Sequence, residues 1–477
     1  MIFRLIGYLL VIESVFLFLA FLVSLIYNEG DQFTFFVSFL FTFFIGASAV
    51  FFTRNAKKEF GKREGYIIVS SIWVVFSIFG SLPFVLSDSI PSFTDAFFET
   101  MSGFTTTGAS ILNNIEELSH AILFWRSITQ WMGGMGIIVL SLAILPFLGV
   151  GGVQLFSAES PGLTIDRMRP RIKETAQRLW IIYVGFTMLE TILLWIGGMN
   201  VFDAICHSFT TMATGGYSTK QASIAYFSSP FIQYVIIAFM FIAGVNFTLS
   251  YFALKLDFKK ILKNEEFRMY AFITIIAALV IAVRLFIGGN IPLEQAFRDA
   301  LFQVVSIITT TGYITVDYLL WSHFLIALIF SLMFIGGSSG STGGGVKVIR
   351  VLLIIKNCYF ELKRLIHPKA IIPMRLNGKT VPQTLMNNVL AFIVFYLLIF
   401  MIGSLIMSGL GLDMESAMGA VATTLGNIGP GIGSVGPVEN FSHIPTVGKW
   451  FLSAFMLLGR LELFTVLIVF APAFWKK

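Results

Sequence analysis

The sequence predicts an all-α integral membrane protein: two N-terminal membrane helices, then four pseudo-symmetric units of helix, short helix and helix. Three observations carry that expectation. Of 477 residues, 56% are hydrophobic and only 12% charged, with a mean hydropathy of +0.85. A soluble globular chain carries about a quarter charged residues, so too little polar surface is left here for a water-soluble fold. Apolar runs of spanning length recur along the chain, and the connections between the later ones share one internal spacing. The 52 phenylalanines, without alternating strand patterns, favour helices over an outer-membrane barrel.

In chain order, the runs fall near 5–27, 33–53, 66–87, 121–148, 177–198, 229–254, 268–288, 322–356, 384–409 and 447–474. The first follows one Arg and resembles a signal peptide. Its apolar stretch of about 20 residues is nevertheless long enough to span, and no A-x-A site follows, so it reads as a retained helix.

Ten spans place both termini on one side, and the bases say which side. Arg54, Lys57, Lys58, Lys62 and Arg63 follow the second span; Arg167, Arg169, Arg171, Lys173 and Arg178 follow the fourth. Lys255, Lys259, Lys260, Lys263 and Arg268 follow the sixth. After the eighth come Lys347, Arg350, Lys356, Lys363, Arg364, Lys369, Arg375 and Lys379. The opposite connections carry Asp88, Asp95, Glu116, Glu117, Asp203, Glu294, Asp299, Asp317, Asp413 and Glu439. Both termini are therefore expected in the cytoplasm. The net charge of +6 reflects this topology and no nucleic-acid partner. Cys206 and Cys358 fall on opposite sides and form no disulfide framework, and the five histidines show no metal-ligand pairing.

The outward connections between spans 3–4, 5–6, 7–8 and 9–10 align as DAFFETMSGFTTTGAS from Asp95, DAICHSFTTMATGGYS from Asp203, DALFQVVSIITTTGYI from Asp299 and SAMGAVATTLGNIGPG from Ser416. Thirteen positions after each start stands a glycine: Gly108, Gly216, Gly312 and Gly429. Matched spacing in four places makes span–loop–span the repeating unit. The expected divisions are 1–64 for the N-terminal pair, 65–165, 166–260, 261–375 with a broken second helix, and 376–477.

Each connection begins with a stretch suited to a helix too short to cross, with Asp95, Asp203, Asp299 and Ser416 read as N-caps. Each then reaches a strip: Thr105-Thr106-Thr107-Gly108, Ala213-Thr214-Gly215-Gly216, Thr309-Thr310-Thr311-Gly312 and Gly426-Asn427-Ile428-Gly429. Irregular backbone at membrane depth survives only inside protein or beside water. Four such strips around a central pore would aim carbonyls inward and replace the hydration shell of a monovalent cation. The negative ends of the short helices favour positive charge at the same place.

Span 8 is interrupted by Gly336-Gly337-Ser338-Ser339-Gly340-Ser341-Thr342-Gly343-Gly344-Gly345, between apolar halves too short to span. It follows no strand, and Val346 separates Gly345 from Lys347, so it is not a phosphate-binding loop. A broken intramembrane helix marks an ion path; a passive kink is the alternative. Arg460 lies inside the last span, where a charge faces a cavity or a partner; pairing with Glu462 is the alternative. Glu13 and Glu190 are also intramembrane, with no role assigned.

These motifs, with WRSITQWMGGMGIIVL from Trp125, AESPG from Ala158, GGSSGSTGGGVK from Gly336 and GRLEL from Gly459, resemble the Trk/Ktr/HKT superfamily of potassium transporters over nearly the whole chain. The likeness is strongest to its bacterial TrkH-type members, which also have two extra N-terminal spans.

The resemblance implies helix–pore-helix–helix repeats around a pore, potassium uptake across the bacterial cytoplasmic (inner) membrane, and K⁺ held at the strips. It also implies a gate at Gly336–Gly345 with Arg460 projecting into the pore. It further implies a homodimer and a cytosolic ring of nucleotide-binding regulatory subunits of the TrkA type, with nucleotide on that partner and no cofactor on this chain. In plant members, serine at the first strip glycine accompanies sodium transport; Gly108 here favours potassium. Asn427 and Ile428 depart from Thr-Thr-x-Gly and make the cage less uniform.

Symport of K⁺ with Na⁺ or H⁺ by the same fold, or a less selective cation path, remain as alternatives. A rocking secondary transporter would need paired broken helices in two inverted halves, whereas only one span reads as broken. No nucleophile–base or metal constellation supports an enzyme.

Overall fold

The computed structural model describes residues 2–55, 61–148, 172–289, 291–369 and 372–476. The AESPG motif and the bases Lys57, Lys58, Arg167, Arg169 and Arg171 lie outside these residues.

Among the described residues, six helices are long and apolar enough to cross a bilayer: Ile2–Tyr27, Gln32–Phe52, Arg63–Leu86, Gln177–Ile196, Glu265–Gly288 and Gln383–Gly409. His120–Leu148, at 29 residues, occupies the fourth expected span. The first two helices meet through glycine. A Cβ on Gly7 would stand 2.8 Å from the carbonyl oxygen of Gly46, and one on Gly46 would stand 2.9 Å from that of Gly7. Small residues allow such close approach where lipid supplies no hydrophobic drive between helices.

The remaining spans are interrupted. Pro230–Ala243 and Phe247–Leu254 meet at 112°, and Thr446–Arg460 and Phe464–Phe470 at 118°. The eighth expected span divides into His323–Leu332 and Val348–Ile366. The sequence reading of a single broken span is therefore corrected to three. Hydropathy runs unbroken through the other two, so the cause is local. The Asn246 side chain accepts the Thr248 N–H at 2.8 Å and starts a new helix. Glu462 and Leu463 take positive φ, 56° and 54°. The three breaks fall in the second spans of the second, third and fourth repeats, whereas His120–Leu148 in the first is continuous, and this is not the paired pattern of two inverted halves.

Between the spans lie four short helices, Phe93–Phe104, Val201–Met212, Leu293–Ile308 and Met414–Gly426. At about 1.5 Å per residue, none reaches across a hydrocarbon core of about 30 Å. Their caps differ from the sequence reading. Ser92, Asn200 and Asp413 accept the backbone N–H of Asp95, Asp203 and Ser416 at 3.4, 2.7 and 3.1 Å. The residues read as caps are thus the third of each helix, where an acid still complements the helix dipole. In the third repeat Pro292 is the N-cap, and Asp299 lies inside the helix.

Among the described residues the strands are Arg375–Leu376 and Lys379–Thr380, an antiparallel hairpin turned by Asn377 and Gly378 at φ 49° and 78°. Two bases counted towards the orientation are not in a polar connection. Lys347 and Arg350 are buried, Lys347 against Gly343 O and Arg350 against Glu462.

Candidate ion-binding ring and gate loop

Each short helix ends the same way. Thr106, Thr214, Thr310 and Asn427 take left-handed φ of 53°, 53°, 59° and 54°. The N–H groups of these four reach back three residues, at 3.0, 2.9, 3.0 and 3.4 Å. The next residues, Thr107, Gly215, Thr311 and Ile428, reach back five, to Ser102, Thr210, Ser306 and Thr423, at 2.8 to 2.9 Å. This is a Schellman closure made four times. Its left-handed position normally takes glycine, and a β-branched residue there costs about 1–3 kcal/mol. Three threonines carry that strain at matched places, which points to function. Asn427 suits the conformation better, and its Nδ2 donates to Thr107 Oγ1 and Met456 O, both at 2.9 Å.

The strips close on one another. Gly108, Gly216, Gly312 and Gly429 have φ of 80°, 78°, 82° and 104°. A Cβ on Gly108 would collide with the carbonyl oxygen of Gly215, one on Gly216 with that of Thr311, and one on Gly312 with that of Ile428. On Gly429 it would stand 3.0 Å from Thr107 O. Each glycine therefore abuts the carbonyl just before the glycine of the next repeat, and the fourth returns to the first. The eight residues of this closed cycle are all among the sixteen singled out from sequence, whose threonine side chains are buried.

Behind the cycle lie residues that sequence reading missed. Gln130 Nε2 donates to Gly215 O at 2.7 Å, and its Oε1 accepts Tyr217 N at 3.1 Å. Arg126 Nε donates to Glu99 Oε1 at 2.9 Å, an ion pair with side chains 2% and 0% exposed. Glu99 also accepts Ser110 Oγ and Ile111 N at 3.0 Å. In the second repeat His207 Nε2 meets Ser218 Oγ at 2.9 Å, and in the third Gln303 donates to Thr315 Oγ1 at 3.3 Å. Glu99, His207 and Gln303 each stand nine positions before their strip glycine, where the fourth repeat has Ala420. Tyr217 and Tyr313, each following a strip glycine, donate their hydroxyls to the backbone oxygens of Glu99 and His207 in the preceding repeat, at 2.7 and 3.1 Å.

The Gly336–Gly345 loop lies against the ends of the short helices. Thr342 Oγ1 donates to Met212 O at 3.0 Å, and Gly344 N donates to Thr310 Oγ1 at 2.7 Å. A Cβ on Gly344 would meet Asn427. Gly336 N donates to Val346 O at 2.7 Å, and Gly337 O accepts Val348 N at 3.2 Å, which pinch the loop at its base. Arg460 Nη1 donates to Thr342 O at 2.7 Å and to Thr106 Oγ1 at 3.0 Å, and Nη2 donates to Gly133 O at 2.6 Å. One guanidinium thus ties the loop to the first strip. Glu462, its suggested alternative partner, pairs with Arg350.

Fold and site together define a multi-pass, all-α membrane protein with four re-entrant units joined in a ring of backbone carbonyls. The model of the TrkH family, described as a cation transport protein, matches residues 31–477, and the chain belongs to that family of transporters, which are not enzymes. The Trk system potassium uptake protein TrkH of Escherichia coli strain K12 is 45% identical over 480 residues, covering 99% of both chains. Its namesake from Halomonas elongata is 40% identical over 480 residues, covering 100% of this chain and 99% of the relative. The crystal structure of the potassium transporter TrkH from Vibrio parahaemolyticus superimposes with a TM-score of 0.89 at 42% identity, covering 100% of this chain and 99% of that one.

Proposed function

We propose that the chain takes up potassium across the cytoplasmic membrane through a channel-like pore. The observation that carries this reading is the closed cycle in which each strip glycine abuts the next strip's carbonyl. Carbonyls fixed by backbone packing can replace the hydration shell of a bare ion without rearranging. Thr105–Gly108, Ala213–Gly216, Thr309–Gly312 and Gly426–Gly429 form the filter and hold K⁺ as cargo. The Gly336–Gly345 loop is the gate beneath it, and Arg460 opposes cation passage while tying the gate shut.

The relatives' printed names, with identity over their full lengths, support potassium as the ion and a subunit of a multi-component Trk system. By the same likeness the working form is a homodimer with a cytosolic TrkA-type ring that carries the nucleotide. The distribution of Lys and Arg supports cytoplasmic termini.

The test is tracer rubidium uptake into liposomes containing purified protein, competed by K⁺ and Na⁺, with and without a pH gradient. Uptake blocked by K⁺ at concentrations where Na⁺ has little effect is expected. Equal competition would overturn the filter, and dependence on the pH gradient would replace downhill flow with H⁺ symport.

A further inference from the structure

The side of the gate loop away from Arg460 is seated on a second break in the protein. Ser338 N donates to Gly244 O at 2.8 Å, Asn246 Nδ2 donates to Ser339 O at 2.6 Å, and Phe247 N donates to Gly340 O at 3.1 Å. These partners all come from the bend between Pro230–Ala243 and Phe247–Leu254. A carboxylate completes the seat, as Ser339 N donates to Glu266 Oε1 at 2.6 Å. Glu266 is the second residue of the helix Glu265–Gly289 and is buried.

The residue beside it faces the other way. Glu265 N donates to Asn377 Oδ1 at 2.8 Å, and Asn377 N donates back to Glu265 Oε1 at 2.9 Å. Glu265 also pairs with Lys356, whose Nζ donates to Arg375 O at 2.9 Å. Asn377 and Arg375 belong to the exposed hairpin of residues 375–380. The Asn264 side chain accepts Phe267 N at 2.9 Å and fixes this helix start. One rigid helical turn thus holds the gate loop through Glu266 and the hairpin through Glu265.

We infer that Glu266, with Asn246, is a positioning residue that holds the gate loop closed, and that the 375–380 hairpin sets the position of Glu266 through Glu265. A buried hydrogen bond is costly to leave unmade, and here the one from Ser339 N to the Glu266 carboxyl holds a glycine-rich segment with little stiffness of its own. Any force that displaces the hairpin tilts the helix start and loosens Ser339. This inference rests on reading Gly336–Gly345 as the gate, so its test includes an arm for that reading alone.

The experiment measures rubidium flux, with Na⁺ competition, for Glu266→Ala, Glu266→Gln, Asn377→Ala, the double variant Glu266→Ala/Asn377→Ala, and deletion of Ser338–Gly343. Glu266→Ala should raise flux roughly tenfold, the population shift expected from leaving one buried backbone donor without its partner. Glu266→Gln, which keeps a neutral acceptor, should give a smaller rise. The K⁺/Na⁺ preference should stay unchanged, because the filter is untouched; a merely structural role would lower folded protein without this pattern.

Asn377→Ala, far from the pore, should raise flux less and add nothing to Glu266→Ala, as for two links of one chain. If the deletion raises flux while Glu266→Ala and Glu266→Gln leave it at the parent value, the clasp is wrong and the gate stands. If the deletion also changes nothing, the gate reading fails and takes the clasp with it. Should Glu266→Ala not fold, Glu266→Gln and Asn377→Ala decide the matter. Additive effects in the Glu266→Ala/Asn377→Ala double variant, or parental flux in Asn377→Ala, would overturn the link to the hairpin.

Discussion

The carbonyl ring and the Gly336–Gly345 loop are both glycine-rich backbone between membrane helices, yet they are held by different means. The ring closes from strip to strip four times, each time glycine against carbonyl, backbone against backbone. The loop is made once, and beside its backbone bonds to Gly244, Phe247, Val346 and Val348 it is held by the side chains of Asn246, Glu266, Lys347 and Arg460. A backbone contact of the first kind is lost only by refolding the strip. A side-chain hydrogen bond contributes about 0.5–1.5 kcal/mol net and can be exchanged for water. The ring is thus closed by contacts that only refolding undoes, whereas part of the loop's hold is exchangeable.

That contrast can be broken in several places. The largest effect falls on the ring's support: Arg126→Ala leaves Glu99 buried without its cation and should cost about 3–5 kcal/mol of stability. The thermal midpoint in detergent measures this, and an unchanged midpoint would mean the ring needs no buttress.

Deleting Ser338–Gly343 should raise rubidium flux on the order of tenfold or more while the protein still purifies as a folded species. A folded variant with parental flux would place the loop with the ring, as fixed structure. Gly312→Ser and Gly108→Ser should each reduce potassium preference over sodium about tenfold, equivalent to about 1.4 kcal/mol of discrimination. Gly429→Ser should do less, because its nearest carbonyl is 3.0 Å from the new Cβ. Equal losses at all three would show that φ alone matters and the contact does not.

Arg460→Ala should raise flux roughly fivefold, at the low end of typical coupling energies. The smallest change is expected from Asn427→Thr, which makes the fourth strip resemble the others but removes the donors to Thr107 and Met456. Its flux should stay within about twofold of the parent, with a modest fall in midpoint.

Much of this architecture was legible in the sequence because it is periodic. Four glycines at one spacing marked the ring, a Gly/Ser run marked the loop, and one arginine in an apolar span marked its tether. The other two broken spans were hidden because Gly244–Asn246 and Leu461–Leu463 each hold a single polar side chain, too little to lower the hydropathy of the whole span. In the first two repeats the caps were misplaced by three residues because aspartate serves equally as a cap and as a first-turn acid, and only Ser92 and Asn200 upstream distinguish the two; in the third the N-cap is Pro292, seven residues before Asp299. The buttress was missed for a different reason. Glu99, His207 and Gln303 share one alignment column, but they are chemically unlike, so the eye passes over them. The useful signal was that all three are polar inside buried helices.

The ring's four strips are stretches of one polypeptide, not copies contributed by four identical subunits. In a homotetramer a single codon change alters the whole circumference at once. Here it alters one corner, and the other three keep their grip. Asn427 and Ile428 are such a corner already altered, so the carbonyl ring can be retuned in quarter steps.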